Sequence, residues 1–139
     1  METGYITIWG KDMAEEQKTV LIVDDSAMLR RIVNDALDIL DFEVLEAESA
    51  FEGQEQLEKH QVDLIILDWV MPEKSGYDFF LELKEHEAFS SIPVIMLSAE
   101  DGKDMMLKAI RAGIRHYVTK PFTHEDLLAR VVQVLKLNI

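Results

Sequence analysis

Carboxylate, hydroxyl and amine side chains follow directly after apolar runs at four places in this chain. In chain order they are Asp24, Asp25, Asp68, Ser98 and Lys120. The carboxyl ends of parallel strands share one edge of a sheet, where open α/β folds bind ligands. We therefore expect these side chains to meet in one crevice. An acidic cluster beside a hydroxyl and a lysine is suited to binding Mg²⁺ together with a phosphate group.

Each of these residues has a more ordinary explanation when it is considered alone. An Asp-Asp pair often lies at a turn or caps a helix, Ser26 can cap the helix that follows it, and a surface lysine is usually only solvated. The arrival of Asp68 at the same edge as Asp24 and Asp25 favours a metal site. Three clustered carboxylates raise one another's pKa unless a cation offsets their charge. Asp68 is then the candidate nucleophile, because a carboxylate can attack a phosphoryl group.

Alternating strand-like and helix-like segments predict how these side chains are positioned. The β-rich runs cover residues 20–24, 42–47, 63–68, 93–98 and 115–119. Three of these runs are apolar throughout, as expected for strands that helices cover on both faces. Helical periodicity appears at Leu29, Ile32, Val33, Ala36 and Leu40, and again at Leu128, Val131, Val132 and Leu135. The pattern predicts an α/β fold, a doubly wound (βα)5 flavodoxin-like three-layer sandwich with a parallel five-stranded sheet in the order 2-1-3-4-5.

Local signals mark the ends of several helices. Ser49 with Glu52 forms a capping-box pattern, and Thr123 with Asp126 forms a weaker one. Gly76 and Gly113 fall where turns or helix ends are needed. We assign residues 18–139 to one domain and residues 1–17 to an N-terminal extension, either disordered or carrying a short extra strand at residues 5–9.

Composition limits the classes of partner and compartment. The 14 basic residues against 27 acidic ones give a net charge of −13, which argues against binding to nucleic acid or to an anionic membrane surface. The absence of cysteine excludes a disulfide framework and a thiolate metal site. No signal peptide and no apolar run of membrane-spanning length is evident, so we expect a cytoplasmic protein.

Taken together, the motifs resemble the receiver domain of two-component response regulators, the CheY-like family. The resemblance covers about residues 18–137. Its motifs are Asp24-Asp25, the run from Asp63 to Pro72 with Gly76, Ser98-Ala99, and Lys120-Pro121-Phe122. Each motif alone is weak, but all of them in this order and spacing are specific to the family.

The resemblance implies a phosphoacceptor and a metal site. Asp68 would accept a phosphoryl group from a phosphohistidine on a sensor histidine kinase or a histidine phosphotransfer protein. Asp25, Asp68 and the backbone carbonyl of Val70 would hold Mg²⁺, with Asp24 acting mainly through metal-bound water. Such a protein is not an enzyme with an external substrate, because it catalyses only its own phosphorylation and dephosphorylation.

The resemblance also implies phosphate contacts and a switch. Lys120 would pair with the phosphate, Ser98 would donate a hydrogen bond to it, and the small Ala99 would leave the site open to donors. Movement of the Ser98 hydroxyl toward the phosphate would vacate a volume that the ring of Tyr117 fills, a two-state element biased by a local charge change. Tyr117 is otherwise simply an amphipathic ring at the sheet edge. The Lys120-Pro121 bond is expected to be cis, as in the family.

Two flanking positions tune hydrolysis of the phosphoryl group in this family. An apolar Val70 should not assist an attacking water, whereas Glu100 is able to position one or to screen the site. Because the two effects have opposite directions, the lifetime of the phosphoryl group is left open.

The expected readout surface is the face formed by the fourth helix, the fifth strand and the fifth helix. It carries the most basic stretch of the chain: Lys103, Lys108, Arg111, Arg115 and His116. This stretch either docks an acidic partner element or is a solvated helix face.

Several overall interpretations remain open at this point. The chain is either a stand-alone regulator, acting in a phosphorelay, as a phosphate sink or on a target such as a flagellar motor, or a receiver domain cut from a longer regulator or hybrid kinase. A haloacid-dehalogenase-type phosphatase is disfavoured, since Val70 and Ser26 stand where its acidic residue would be. A pseudo-receiver scaffold is disfavoured because the acceptor, the acidic pair and the lysine are all present.

Overall fold

A computed structural model describes residues 17–99 and 102–137, in which strands and helices alternate along the chain. The strands are β1 (Thr19–Val23), β2 (Glu43–Ala47), β3 (Leu64–Asp68), β4 (Val94–Ser98) and β5 (His116–Thr119). The helices are α1 (Ala27–Leu37), α2 (Ala50–Lys59), α3 (Gly76–Glu85), α4 (Lys103–Ala112) and α5 (His124–Leu135). Of the predicted extension only residue 17 is described, so its short strand at residues 5–9 lies outside the described residues and stays a prediction.

The five strands form one sheet in the order β2-β1-β3-β4-β5, and every neighbouring pair is parallel. The predicted fold class and strand order are therefore confirmed. The register pairs Val23 of β1 with Leu67 of β3, so the residue that follows each of them, Asp24 and Asp68, reaches the same edge of the sheet. This is the point at which the strand order reverses, where open α/β sheets bind ligands.

Alternate residues of the central strands enter two separate cores. Val20 and Ile22 of β1 face α1 and α5, where they pack with side chains such as Val33 and Val131. Leu21 and Val23 face the opposite layer, formed by α2, α3 and α4. Burial on both faces explains why β1, β3 and β4 are apolar except at one terminal residue each, whereas the edge strands β2 and β5 are partly exposed. Among the helices described, none combines the length and apolar character needed to cross a bilayer.

The predicted helix stripes are partly wrong. Ile32 is 37% exposed, and Leu40 lies beyond the end of α1, whereas Leu37 is fully packed in the core. The helix ends early because the Asp38 N–H bonds the carbonyl of Asp35, three residues back, which tightens the last turn. In α5 the buried positions include Leu127, which the predicted stripe omitted.

The two predicted capping boxes differ in their geometry. At Thr123 the box is reciprocal: the Thr123 hydroxyl accepts from the Asp126 N–H, and the Asp126 carboxylate accepts from the Thr123 N–H. At Ser49 only half of the box forms, because the Glu52 carboxylate accepts from the N–H of Glu48 instead. The capping box at Ser49, which the sequence predicts to be the stronger of the two, is therefore the incomplete one.

Candidate functional site

Three carboxylates converge at the carboxyl edge of the sheet, as the sequence predicts. Asp24 follows β1, Asp68 ends β3, and both are buried, whereas Asp25 is exposed. One carboxylate oxygen from each lies within 4.8 Å of the other two. Such a spacing allows all three to contribute to a single small, hard cation, directly or through its bound water.

Only one of the two carboxylate oxygens of Asp24 accepts a hydrogen bond. Its Oδ1 accepts a hydrogen bond of 2.8 Å from the Ser26 N–H, the residue that caps α1. Its Oδ2 is buried without a hydrogen-bond partner, and the nearest described cation, Nζ of Lys120, is 4.0 Å away. Burial raises the pKa of Asp24 to about 6, although the Ser26 hydrogen bond acts against this rise.

Asp68 is paired directly with Lys120. The Lys120 Nζ donates to Asp68 Oδ1 over 2.7 Å, joining the ends of β3 and β5 across the intervening strand. Burial raises the pKa of Asp68, and the hydrogen bond and charge of Lys120, together with a backbone hydrogen bond from Val70, oppose that rise. Lys120 thus favours the ionised form of this buried carboxylate, which is the form able to act as a nucleophile.

The donor set fits Mg²⁺. The three clustered side chains are all carboxylates, whose oxygens are the ligands this hard cation prefers. The unpartnered Oδ2 of Asp24 is the clearest indication, since a buried carboxylate oxygen without a donor or a cation is costly. Val70 is two residues beyond Asp68, in the loop that leaves β3, and is 67% exposed. Its role as a metal ligand stays a prediction.

The phosphate-contact residues predicted from the sequence lie on the neighbouring strands. Ser98 ends β4 and is buried, and Ala99 beside it is exposed. The N–H of Lys120 donates to the Ser98 carbonyl over 2.8 Å, which ties the lysine-bearing segment to the end of β4. The Lys120-Pro121 bond is cis, as predicted.

An aromatic cluster beside the site was missed by the sequence reasoning. Trp69 stacks on Tyr77 with ring centroids 5.1 Å apart and also contacts Tyr117 at 6.0 Å. The ammonium of Lys108, in α4, lies 4.5 Å from the centroid of the Tyr77 ring. The residue after Asp68 is therefore linked through ring contacts to β5 and to α4. Only the three-dimensional packing of β3, α3 and α4 reveals this link.

Two further residues hold the edge of the site in shape. Gly76 begins α3 against the end of β3, and a Cβ at this position would overlap the carbonyl oxygen of Asp68. Its N–H donates to the carbonyl of Trp69 over 2.8 Å. Arg30, which the sequence did not single out, donates from Nη1 to the Asp24 carbonyl and from Nε to Glu46.

The predicted hydrolysis-tuning pair is described only in part. Val70 is exposed at the rim of the acidic cluster, where its apolar side chain offers no group to activate a water. Glu100 lies outside the described residues. Their joint effect on the phosphoryl lifetime stays open.

Comparisons with known proteins agree with this architecture. The family model for the response regulator receiver domain matches residues 20–132. Chemotaxis protein CheY1 of Helicobacter pylori is 39% identical over 121 residues, which are 86% of this chain and 98% of that protein. The phosphate regulon transcriptional regulatory protein PhoB of Pseudomonas aeruginosa is 39% identical over 119 residues, 86% of this chain and 52% of that protein. The chain thus spans about half the length of this second relative.

Solved structures show the same fold. Chemotaxis response regulator CheY4 of Vibrio cholerae superposes with a TM-score of 0.78 and 29% identity, covering 85% of this chain and 98% of that one. A response regulator from Thermotoga maritima gives a TM-score of 0.77 and 30% identity, covering 87% and 99%. With the matched family model, these likenesses show that the chain belongs to the response regulator receiver domain family.

Proposed function

We propose that this chain is a phosphoacceptor module in which Asp68 is phosphorylated in a Mg²⁺-dependent reaction. The observation that carries the proposal is a buried Asp68 with Lys120 at 2.7 Å, inside a cluster of three carboxylates. A buried carboxylate with a fixed cation beside it is a usable nucleophile, and the cation remains in place to pair with a transferred phosphoryl group.

The proposed transfer is a displacement at phosphorus. An oxygen of Asp68 forms a bond to the phosphorus of a phosphohistidine while the phosphorus–nitrogen bond of the donor breaks. The electron pair of that bond goes to the imidazole nitrogen of the donor. Bound Mg²⁺ would offset charge on the transferring oxygens, held by Asp25, Asp68 and the Val70 carbonyl, with Asp24 acting through metal-bound water. Lys120, Ser98 and the open position at Ala99 would complete the phosphate site.

The donor class follows from family membership. Response regulator receiver domains interact with histidine kinases and with downstream targets, so we assign a sensor histidine kinase or a histidine phosphotransfer protein as the source of the phosphoryl group. In this proposal the chain turns over no external substrate. Whether it acts alone or within a longer regulator is left open, as is the predicted cytoplasmic location.

The proposed output surface consists of α4, β5 and α5. Ser98 and Tyr117 lie at the end of β4 and in β5, where a hydroxyl drawn toward a phosphoryl group would alter the packing of the Tyr117 ring against Trp69. On α4, Leu107 and Ile110 are three residues apart, and they are 47% and 64% exposed. Adjacent exposed apolar side chains on a helix support a role in docking a partner.

Intact mass spectrometry tests the chemistry. The protein is incubated with acetyl phosphate and Mg²⁺, with EDTA in a parallel reaction. We expect a gain of one phosphoryl group in the wild type and in Asp35→Asn, an exposed aspartate of α1 that serves as a matched control. We expect no gain in Asp68→Asn or in EDTA. Equal labelling of wild type and Asp68→Asn would contradict the proposal, and no labelling of either would favour a pseudo-receiver scaffold.

A further inference from the structure

A second pocket, of about 500 Å³, opens at the edge of the sheet opposite the acidic cluster. Its walls come from the start of β4, the start of β5 and the carboxyl-terminal parts of α3, α4 and α5. Because the amino ends of parallel strands lie at this edge, the pocket shares no residue with the phosphoacceptor site. Its volume is within the range of pockets that bind small molecules.

The polar lining of this pocket is basic. Lys84, Arg115 and His116 line it together with the hydroxyl-bearing Ser90 and Ser91. None of the residues that line it is acidic, although acidic residues outnumber basic ones in the chain by 27 to 14. Basic side chains grouped without a carboxylate produce a local positive potential, which attracts anions.

Lys84 and Arg115 are both exposed, so solvent partly screens their charges. The ion pairs formed within residues 17–99 and 102–137 involve Arg30, Lys74 and Lys120 but none of the pocket's cations. The Lys84 ammonium instead donates to the Ser90 carbonyl over 3.0 Å. Burial and the charge of Arg115 lower the pKa of Lys84.

His116 lies beside the same basic groups, which favour its neutral form. Burial lowers its pKa first, and the charges of Arg130 and Arg115 lower it further. Lys84 and Arg115 lie near the carboxyl-terminal ends of α3 and α4, where the helix dipole favours cations. The helix dipoles stabilise the charges of Lys84 and Arg115. They do not explain why His116 lies beside these two residues or why no carboxylate lines the pocket.

We propose that this pocket binds a small phosphorylated ligand through its phosphate group. Ammonium, guanidinium, imidazole and two hydroxyl groups offer more donors than the two oxygens of a single carboxylate accept, whereas a phosphate presents three terminal oxygens. The remaining walls include Pro93, Ala112 and Val134, which are apolar and only partly buried and suit a hydrocarbon part of the ligand. The site is independent of phosphorylation at Asp68.

Titrations followed by ¹H–¹⁵N NMR test this proposal. Inorganic phosphate and phenyl phosphate are added separately to the full chain in EDTA, with NaCl holding the ionic strength constant. We expect saturable shifts in the amides of Lys84, Ser90, Ser91 and residues 113–116 with both probes. Phenyl phosphate should bind at least threefold more tightly, because its ring contacts the apolar wall. Equal affinities would restrict the site to the phosphate group itself and overturn its assignment to a larger ligand.

Two double variants that remove equal charge distinguish binding in this pocket from nonspecific electrostatic attraction. Lys84→Gln with Arg115→Gln should weaken binding at least tenfold. Lys103→Gln with Arg111→Gln removes the same charge from α4 outside the pocket and should leave binding unchanged. If the first pair prevents folding, Arg115→Gln alone, which relieves repulsion, serves in its place. Asp68→Asn should bind both probes as the wild type does, so failure of the phosphoacceptor proposal leaves this result unaffected.

Two further results would overturn the proposal. One is the absence of saturable shifts, or shifts confined to residues around Lys120 at the opposite edge. The other is equal loss of affinity in the two charge-matched pairs, which would show that net charge alone attracts the probes.

Discussion

At the scale of single residues, burial raises the pKa of two carboxylates of the site, but only one of them has a cation in direct contact. Burial raises the pKa of both Asp24 and Asp68. Asp68 has the Lys120 ammonium at 2.7 Å, whereas the Oδ2 of Asp24 has no hydrogen bond and a cation only at 4.0 Å. The buried carboxylate of Asp24 therefore destabilises the metal-free folded protein when it is ionised.

Replacing Asp24 by Asn should stabilise the metal-free protein near neutral pH. The pKa of Asp24 is about 6 in the folded state against 3.8 for an ordinary Asp, so the folded protein binds this proton more tightly than the unfolded chain. The penalty for the ionised carboxylate is complete above the folded-state pKa and disappears as the pH falls toward the unfolded value. We expect Asp24→Asn to gain about 1–3 kcal/mol in the free energy of unfolding at pH 7. Urea unfolding in EDTA measures this gain.

The pH dependence is the control for that prediction. The difference between Asp24→Asn and wild type should shrink toward zero near pH 4, where the Asp24 carboxyl is protonated. A difference that is independent of pH would indicate a packing effect instead. No gain at pH 7 would mean that the buried oxygen is already compensated in the metal-free protein.

Lys120 should control the ionisation of Asp68. Replacing it by Met removes the hydrogen bond and the charge that oppose the effect of burial, so the pKa of Asp68 should rise further. Carboxyl ¹³C NMR titration of the metal-free protein measures this pKa directly. Lys59→Met, an exposed lysine at the end of α2, is the matched control and should leave it unchanged. An unchanged pKa in Lys120→Met would show that the ion pair does not persist in solution.

At the scale of elements, the site depends on how closely α3 approaches the end of β3. Gly76 is the first residue of α3, and its lack of a side chain lets the helix begin against the Asp68 carbonyl. The same contact places Tyr77 beside Trp69. The start of this helix therefore determines both the position of the phosphoacceptor strand end and the packing of the aromatic cluster.

Gly76→Ala should be strongly destabilising. Its Cβ meets backbone atoms of Asp68, which cannot move without shifting β3, so we expect a loss of more than about 2 kcal/mol in the free energy of unfolding. Gly102→Ala is the matched control. A Cβ at Gly102 meets nothing, and the loss should stay at or below about 1 kcal/mol, the scale of an altered helix cap. Equal losses, measured by urea unfolding, would contradict the close approach of α3 to β3.

At the scale of the whole molecule, a cluster of three carboxylates lies at one edge of the sheet and a pocket lined by basic residues lies at the other. The chain carries a net charge of −13, so any divalent cation screens it to some extent. Specific binding to the three carboxylates is distinguished from screening by its dependence on individual residues of the cluster.

Mg²⁺ should stabilise the folded chain through that cluster. At ten times its dissociation constant, a ligand bound only by the folded state adds about 1.4 kcal/mol to the free energy of unfolding. We expect a gain of this size for wild type at constant ionic strength and little or none for Asp25→Asn, an exposed ligand candidate whose replacement leaves the core intact. Thermal or urea unfolding with and without Mg²⁺ measures it. The same gain in both proteins would indicate screening alone.

The sequence predicted the fold and the acidic cluster because both depend on short-range patterns. Continuous apolar strands indicated a sheet buried on both faces, and strand order then brought Asp24 and Asp68 to one edge. The helix stripes were less accurate, since a single tight turn at Asp38 shifts where α1 ends. Strand and helix type thus follow from periodicity, whereas exact ends depend on local hydrogen bonds.

Contacts between distant elements were not predictable in the same way. Lys108 was grouped with Arg115 and His116 as one basic stretch, but it lies over the Tyr77 ring, whereas the other two line a pocket with Lys84. Lys84 is in α3, far from that stretch in the chain, so no sequence period connects them. Such groupings arise from the way the helices pack on the sheet. The composition and spacing of a short segment do not reveal that packing.

The central claim is that Asp68 is the carboxylate that accepts the phosphoryl group. Borohydride reduction of the phosphorylated protein converts an aspartyl phosphate to homoserine, which peptide mapping locates by mass. After incubation with acetyl phosphate and Mg²⁺, homoserine should appear at position 68, and it should be absent from samples prepared in EDTA. Homoserine at position 24 or 25, or none in protein shown to carry a phosphoryl group, would contradict the assignment of Asp68.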